Sequence, residues 1–264
     1  MDFDFPDDLD PIVKAGAPEE SYAILGLSLL LPYLEPYLIR TMKAARKRLT
    51  DADLIADLEH FNGQEGQHFR QHRRLNDVVF RSGFDRLPEF EAELEADYRR
   101  FSDTKSLRFN LAYAEGFEAL TTASALFMFE NGANEGLHPA VADLFEWHML
   151  EELEHRTVAF DVYDRVCGGY FYRLVAGTYA QWHMAQWIGR VTSYLLEADE
   201  RCLRDYGGQE GRRQRRRQAG RMRKKLLPKV LKTYLPWYTP HKIEVGPRLR
   251  EMGDRYTQRA VQTL

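Results

Sequence analysis

Two segments of the chain carry side chains at the spacing of metal ligands. One is Glu65-x-x-His68, within EHFNGQEGQHFRQH; the other is His148-x-x-x-Glu152-x-x-His155, within FEWHMLEELEHRTVAF. Offsets of three, four and seven residues return to one face of an α-helix, so each set converges on a point beside its helix. The short pattern is weak evidence alone: the composition gives about 0.7 chance matches in a chain of this length. A third match, Glu135-x-x-His138, falls in NGANEGLHP, where two glycines and a proline specify a loop. The longer string has a chance expectation of about 0.02 and carries the argument.

Carboxylates and imidazoles in this pattern suit a carboxylate-bridged pair of metal ions. A four-helix centre of that kind takes a Glu-x-x-His pair from each of two helices and a lone carboxylate from each of the other two. Glu35, in LPYLEPYLIR, and Glu115, in LAYAEGFEALTTASALFMF, stand in otherwise apolar segments where a carboxylate is costly to bury without a partner. The order along the chain is then Glu35, Glu65 with His68, Glu115, and Glu152 with His155. Glu118 lies three residues beyond Glu115 and competes with it for the same role, or serves as a catalytic group. His72 lies one turn past His68 and is expected as a further ligand, a proton-transfer group or an imidazole in the centre's hydrogen-bond network. Glu151 and Glu154 are expected to point away from the face of Glu152. Asp161 is expected either to hold a ligand imidazole or to lie on the surface, and His183 to be a core residue.

The segments LPYLEPYLIR, FNGQEGQHFRQHRRLN, AEGFEAL and EELEHRTVAFDVY resemble a bacterial, ferritin-like family of metal-dependent hydrolases over most of residues 25–170. The resemblance implies a ferritin-like bundle with Glu35, Glu65, His68, Glu115, Glu152 and His155 as metal ligands. The chain departs from the family pattern at Glu118, where threonine is frequent, and at Pro36, directly after Glu35. The fourth segment, with His148 added, is also similar to the ligand string of the diiron arylamine N-oxygenases, which implies that His148 completes the coordination of one metal.

Protein ligands alone do not choose between activating water and activating dioxygen. The preferred expectation is a diiron oxygenase or oxidase acting on an apolar or aromatic compound, fed by an external electron donor. The first alternative is a hydrolase in which two metals generate a bridging hydroxide. The second is ferritin-like iron binding without catalysis. Three imidazoles with four carboxylates suit two iron ions, with manganese or zinc as alternatives, better than calcium or magnesium. Phe117, Phe127, Phe129, Phe145, Trp147 and Tyr113 surround the expected ligands and would line an apolar pocket or simply fill the core.

The elements that must position these residues are helical. Apolar periodicity and breakers predict helices over 19–49, 52–80, 86–101, 104–130, 139–166, 170–206, 211–227 and 246–262, with an irregular stretch after Leu227-Pro228 and no strand. The expected class is all-α: an acidic segment at 1–18, a four-helix bundle at 19–206, and a basic helical extension at 207–264. The apolar run 23–39 is interrupted by Glu35 and two prolines, which favours a buried core helix over a membrane span. Two cysteines outside any metal or redox spacing, with no signal peptide, predict a cytoplasmic protein.

Net charge is only −3 but unevenly placed. Asp2, Asp4, Asp7, Asp8 and Asp10 open the chain, and residues 212–225 contain nine arginines or lysines. That run is expected to be a solvated helix face, or to meet an acidic carrier protein or an anionic membrane surface. Specific nucleic-acid recognition is not expected, because no recognition motif accompanies the charge. A homodimer is expected by analogy with such bundles.

Overall fold

The computed structural model describes residues 1–262. Pro18 occupies the first turn of α1 (Pro18–Arg46), where a missing amide hydrogen costs nothing. Glu19 and Glu20 beside it, and Lys43 and Arg46 in the last turn, complement the helix dipole. Asp51 caps α2 (Ala52–Arg81) by accepting from the amides of Asp53 and Leu54. After α3 (Leu87–Thr104), Ser106 caps α4 (Leu107–Asn131), which stops on Gly132 at φ 60°, a left-handed conformation that suits glycine. Then come α5 (Pro139–Glu154), α6 (Val158–Val166), α7 (Tyr170–Ala198), the single turn α8 (Arg201–Arg204), α9 (Gly208–Thr233) and α10 (Pro247–Gln262). The described residues form an all-α bundle with no strand, only an isolated bridge between Lys14 and Leu137.

α1 packs along α2 and α7, while α4 is enclosed by α5, α6, α7 and α9. By length and composition α1 could cross a membrane, but 67% of its apolar window is buried inside the bundle. Its apolar surface is therefore consumed by the core, as expected for 23–39.

Three boundaries differ from the periodicity reading. The segment 139–166 is not one helix, because the chain breaks at 155–157 and restarts as α6. The Arg156 guanidinium stabilises that break, donating to the Leu153 carbonyl at 2.5 Å and to the Ile243 carbonyl at 3.1 Å. The segment 170–206 is interrupted at Asp199, whose carboxylate accepts from the Arg201 amide and starts α8. Conversely, α9 runs through Pro228 to Thr233 instead of stopping at 227. Proline there frees the carbonyl of Lys224, an exposed residue, so water can satisfy what a buried helix would have to leave open.

Candidate metal centre

Four helices each bring acidic or imidazole side chains to one point. α1 supplies Glu35, α2 supplies Glu65 and His68, α4 supplies Glu118, and α5 supplies His148 and Glu152 with His155 at its C-terminal cap; all seven are buried. Their donor atoms fall into three groups of three: Glu35, His68 and His148; Glu65, Glu118 and His155; and Glu65, His68 and Glu152, which links the first two; within each group the donor atoms lie within 4.8 Å of one another. Glu152 stands between the first two. Its Oε1 is 2.9 Å from His148 Nε2 and its Oε2 is 3.3 Å from His155 Nε2, one oxygen for each group. Glu65 Oε1 is similarly shared, 3.8 Å from His68 Nδ1 and 3.4 Å from His155 Nε2.

Whether this set fits metal ions is tested by its unmet hydrogen-bonding capacity. Both carboxylate oxygens of Glu35, Glu65 and Glu118, and Nδ1 of His68, are buried without a hydrogen-bond partner. Buried polar atoms are normally paired, and unpaired buried carboxylates are among the costliest exceptions. Two cations at the first two groups would satisfy all seven atoms, so the residues fit.

The imidazoles are oriented from behind. His68 donates its Nε2 hydrogen to Glu151 at 3.0 Å, and Glu151 also accepts from the Trp147 indole at 2.8 Å. His155 donates from Nδ1 to Gln64 Oε1 at 3.1 Å; the Gln64 amide is fixed in turn by donating to Glu154 at 3.0 Å. His148 rests on a longer chain that begins at a proline. Pro32 has no amide hydrogen for the carbonyl of Ser28, and Asn76 Nδ2 donates to that carbonyl at 3.0 Å instead. Asn76 Oδ1 then accepts the Ser28 hydroxyl at 2.7 Å, so Ser28 Oγ accepts from His72 Nδ1 at 2.9 Å. His72 Nε2, left without a hydrogen, accepts from His148 Nδ1 at 2.7 Å, and His148 Nε2 presents its lone pair to the centre. Each of the three imidazoles thus has one ring nitrogen bonded outward and the other turned inward, the arrangement that metal-binding histidine requires.

Charge in the cluster is balanced by burial and proximity. Burial, then Glu65, Glu152 and Glu118, push the Glu35 carboxyl well above its usual range, and burial with Glu152 and Glu118 does the same to Glu65. Glu118 is pushed up to about 7 by burial and by Glu152, despite the pull of His155. Burial alone would raise Glu152 as well, but His155 and His148 outweigh it and hold it well below the usual range. Burial opposes a charged His155, yet Glu152 and Glu118 hold it well above the ordinary imidazole value.

One expected ligand lies elsewhere, and one expected catalytic group stands behind a ligand. Glu115, expected as a ligand, turns away from the centre and pairs with Arg173 of α7 at 2.7 Å. The guanidinium carbon of Arg173 is 5.3 Å from the ring centre of Phe160, 5.9 Å from Tyr170 and 5.7 Å from Tyr238. A three-residue offset turns a side chain by about 60° around the helix axis, so in a helix enclosed on all sides Glu115 and Glu118 are both buried but meet different neighbours. His72, expected as a catalytic group, has both ring nitrogens occupied by Ser28 and His148 and orients the latter. Phe145 packs edge-on against His72 and Trp147 edge-on against His68. Asp161 pairs with His241 at 2.8 Å on the surface, and His183 bridges Tyr113 and Asp97 within the core.

A family model matches residues 1–244, with the description predicted metal-dependent hydrolase. The chain belongs to that family. No curated protein and no solved structure matches it. Membership agrees with the resemblance read from the sequence and with the buried carboxylate and imidazole groups. It backs the hydrolase alternative better than the preferred oxygenase expectation, and it leaves the identity of the metal open.

Residues that the spacing argument missed are Gln64, Ser28, Asn76 and Glu151. Glu151 precedes Glu152 and was expected to point away; it does leave the centre, but toward the outer nitrogen of His68. Asn76 is one turn beyond His72 on the same face of α2, a signal available in the sequence.

Proposed function

We propose that this protein is a hydrolase dependent on two divalent metal ions, with Glu35, His68 and His148 holding one ion, Glu65, Glu118 and His155 the other, and Glu152 offering one oxygen to each. The observation that carries the reading is the set of seven buried, unpaired donor atoms divided between two groups. A bound pair of such ions supplies Lewis acidity and lowers the pKa of a coordinated water toward neutrality. The mixed imidazole and carboxylate donors suit manganese, iron or zinc.

The chain's own residues do the remaining work. Glu151, Gln64 and the His72–Ser28–Asn76 chain hold the three imidazoles in the tautomer that leaves a lone pair inward. Tyr37, Phe61 and Leu34, all buried, belong to the apolar core from which bulk water is excluded. A cavity of about 630 Å³ lies between α5 and α10, lined among others by Trp147, Glu151, Leu153, Arg156, Val245 and Leu249. Glu151 borders both the cavity and His68, so a molecule held there is separated from the centre by one side chain. The lining mixes apolar side chains with the carboxylates of Glu151, Glu154, Glu244 and Asp254 and the unpartnered Nε of Arg156, which favours an ester or amide with an apolar body and a carbonyl oxygen over an anion.

A second reading, oxidation of an apolar substrate by a diiron form with an external electron donor, is favoured by the inward-facing third imidazole of His148. The two separate cleanly. Zinc- or manganese-loaded protein should hydrolyse apolar nitrophenyl esters without oxygen, and the Glu118→Ala variant should lose that turnover. Absence of hydrolysis across such a panel, together with oxygen consumption by the ferrous protein, would overturn the hydrolase reading in favour of the second.

A further inference from the structure

Every large hydrophobic residue that stands exposed among the described residues falls between 171 and 237: Phe171, Val175 and Trp182 on α7, Leu203 on α8, Leu227 and Leu231 on α9, and Trp237 just after it. Phe171, Val175 and Trp182 are spaced by four and seven residues and share one face of α7. The end of α9 lies along this part of α7, since Tyr170 donates to the Tyr234 carbonyl at 2.6 Å and Arg173 to that of Thr233 at 3.4 Å. Isolated exposed apolar residues are ordinary, but their confinement to one stretch of the chain, 171–237, is not.

The same segment carries uncompensated positive charge. Arg216, Arg217, Arg221, Arg223, Lys224 and Lys232 are exposed, and none has a carboxylate partner among the described residues. The acidic N-terminal segment does not cover them. Asp2 and Asp4 pair with Arg74, Asp7 with Arg81, and Asp10 with Arg201, none of them a residue of α9. The nearly neutral whole chain therefore conceals a strongly basic helix face that ends in Leu227, Leu231 and Trp237.

We propose that this face docks the protein on an anionic lipid surface, with the cations of α9 against the headgroups and Leu227, Leu231 and Trp237 at the acyl boundary. Cations flanking exposed leucine and tryptophan are the chemistry of interfacial helices, in which charge attracts and apolar side chains hold. A second copy of the chain fits less well, because a two-fold interface would set one row of unpaired cations against the same row of its partner. An acidic protein would complement the charge but gives no reason for the aliphatic residues to be exposed beside it.

The test is sedimentation of the full-length, metal-loaded protein with vesicles of phosphatidylcholine alone and of phosphatidylcholine with phosphatidylglycerol in equal proportions. Binding is expected only to the anionic vesicles, with a blue shift of tryptophan emission that is lost in Trp237→Phe. Each basic residue near such a surface contributes roughly fivefold to partitioning, so Arg216→Gln, Arg217→Gln and Arg221→Gln together should weaken it by about a hundredfold. These residues are exposed and remote from the ligands, so the variant should keep its melting temperature and metal content. Equal binding to both vesicles, no binding to either, or an unchanged affinity in the triple variant would overturn the proposal. Concentration-dependent dimerisation without vesicle binding would overturn it in favour of a second copy.

Discussion

At the scale of single residues, α4 offers two buried glutamates with opposite assignments, and substitution should separate them. Glu118→Ala removes a donor from the second metal group, so metal content should fall from about two ions per chain toward one while the helical fold is retained, as read by elemental analysis and circular dichroism. Glu115→Ala should leave metal content unchanged but strand Arg173 in a buried position. A loss of roughly 3–5 kcal/mol in denaturant unfolding is expected, because removing one partner of a buried pair exposes the full desolvation cost of the other. Equal metal loss in both variants would contradict this division. A different readout tests the chain behind His148: Asn76→Leu leaves the Ser28 carbonyl and hydroxyl without their fixed partner, so the tautomer of His72 and of His148 is no longer imposed. Metal affinity, measured by competition with a chelator, should fall about 10–100-fold.

The raised carboxyls also set a pH dependence for protein stripped of metal with a chelator. A carboxyl with a raised folded-state value binds its proton more tightly folded than unfolded. Its stabilising effect is complete below its ordinary value of 4.5 and is lost as pH rises through the folded value, about 7 for Glu118 and well above 4.5 for Glu35 and Glu65. His155, also raised, acts in the same direction, while Glu152, depressed, acts only below the usual carboxyl range. His68 and His72, held well below the ordinary imidazole value of 6.5 by burial and by neighbouring imidazoles, act in the opposite direction up to that value, so the melting temperature of stripped protein should fall above it, between pH 7 and pH 8. Added zinc or manganese should restore more stability at the upper end, and a melting temperature that rises with pH across that range would contradict the cluster's electrostatics.

At the scale of elements, ligand spacing was legible because it is local. Glu65 with His68 lie on α2, and His148 with Glu152 on α5 with His155 at its C-terminal cap, so helical period brings each set together. The choice of Glu118 over Glu115 was not legible, since it depends on Arg173 arriving from α7, 58 residues along the chain. The break after His155 was likewise hidden in a continuous apolar pattern, and is set by Arg156 reaching the Ile243 carbonyl far downstream. A close helix contact makes the α4–α7 packing testable. A Cβ on Gly116 would lie 2.4 Å from the Gly177 Cα, a clash between two backbones that no side-chain rotation relieves. Gly116→Ala should therefore cost on the order of 1–3 kcal/mol in unfolding free energy. An unchanged or raised stability would show that the two helices do not approach so closely.

At the scale of the whole molecule, the helical class and the family were readable from composition and motif, whereas the pairing of the charges was not. The basic run was visible as an exposed charged face; what the sequence did not show is that the N-terminal aspartates pair with Arg74, Arg81 and Arg201 and leave cations of α9 without a carboxylate. The bundle buries a set of carboxylates and imidazoles from four helices that fits two metal ions, with a cavity on one flank. The central claim is that this set holds two ions. Elemental analysis of the purified protein after equilibration with iron, manganese or zinc and removal of free metal tests it most directly. About two ions per chain are predicted; a folded protein that retains none, or one that binds equally well after His148 and Glu152 are both replaced by alanine, would contradict it.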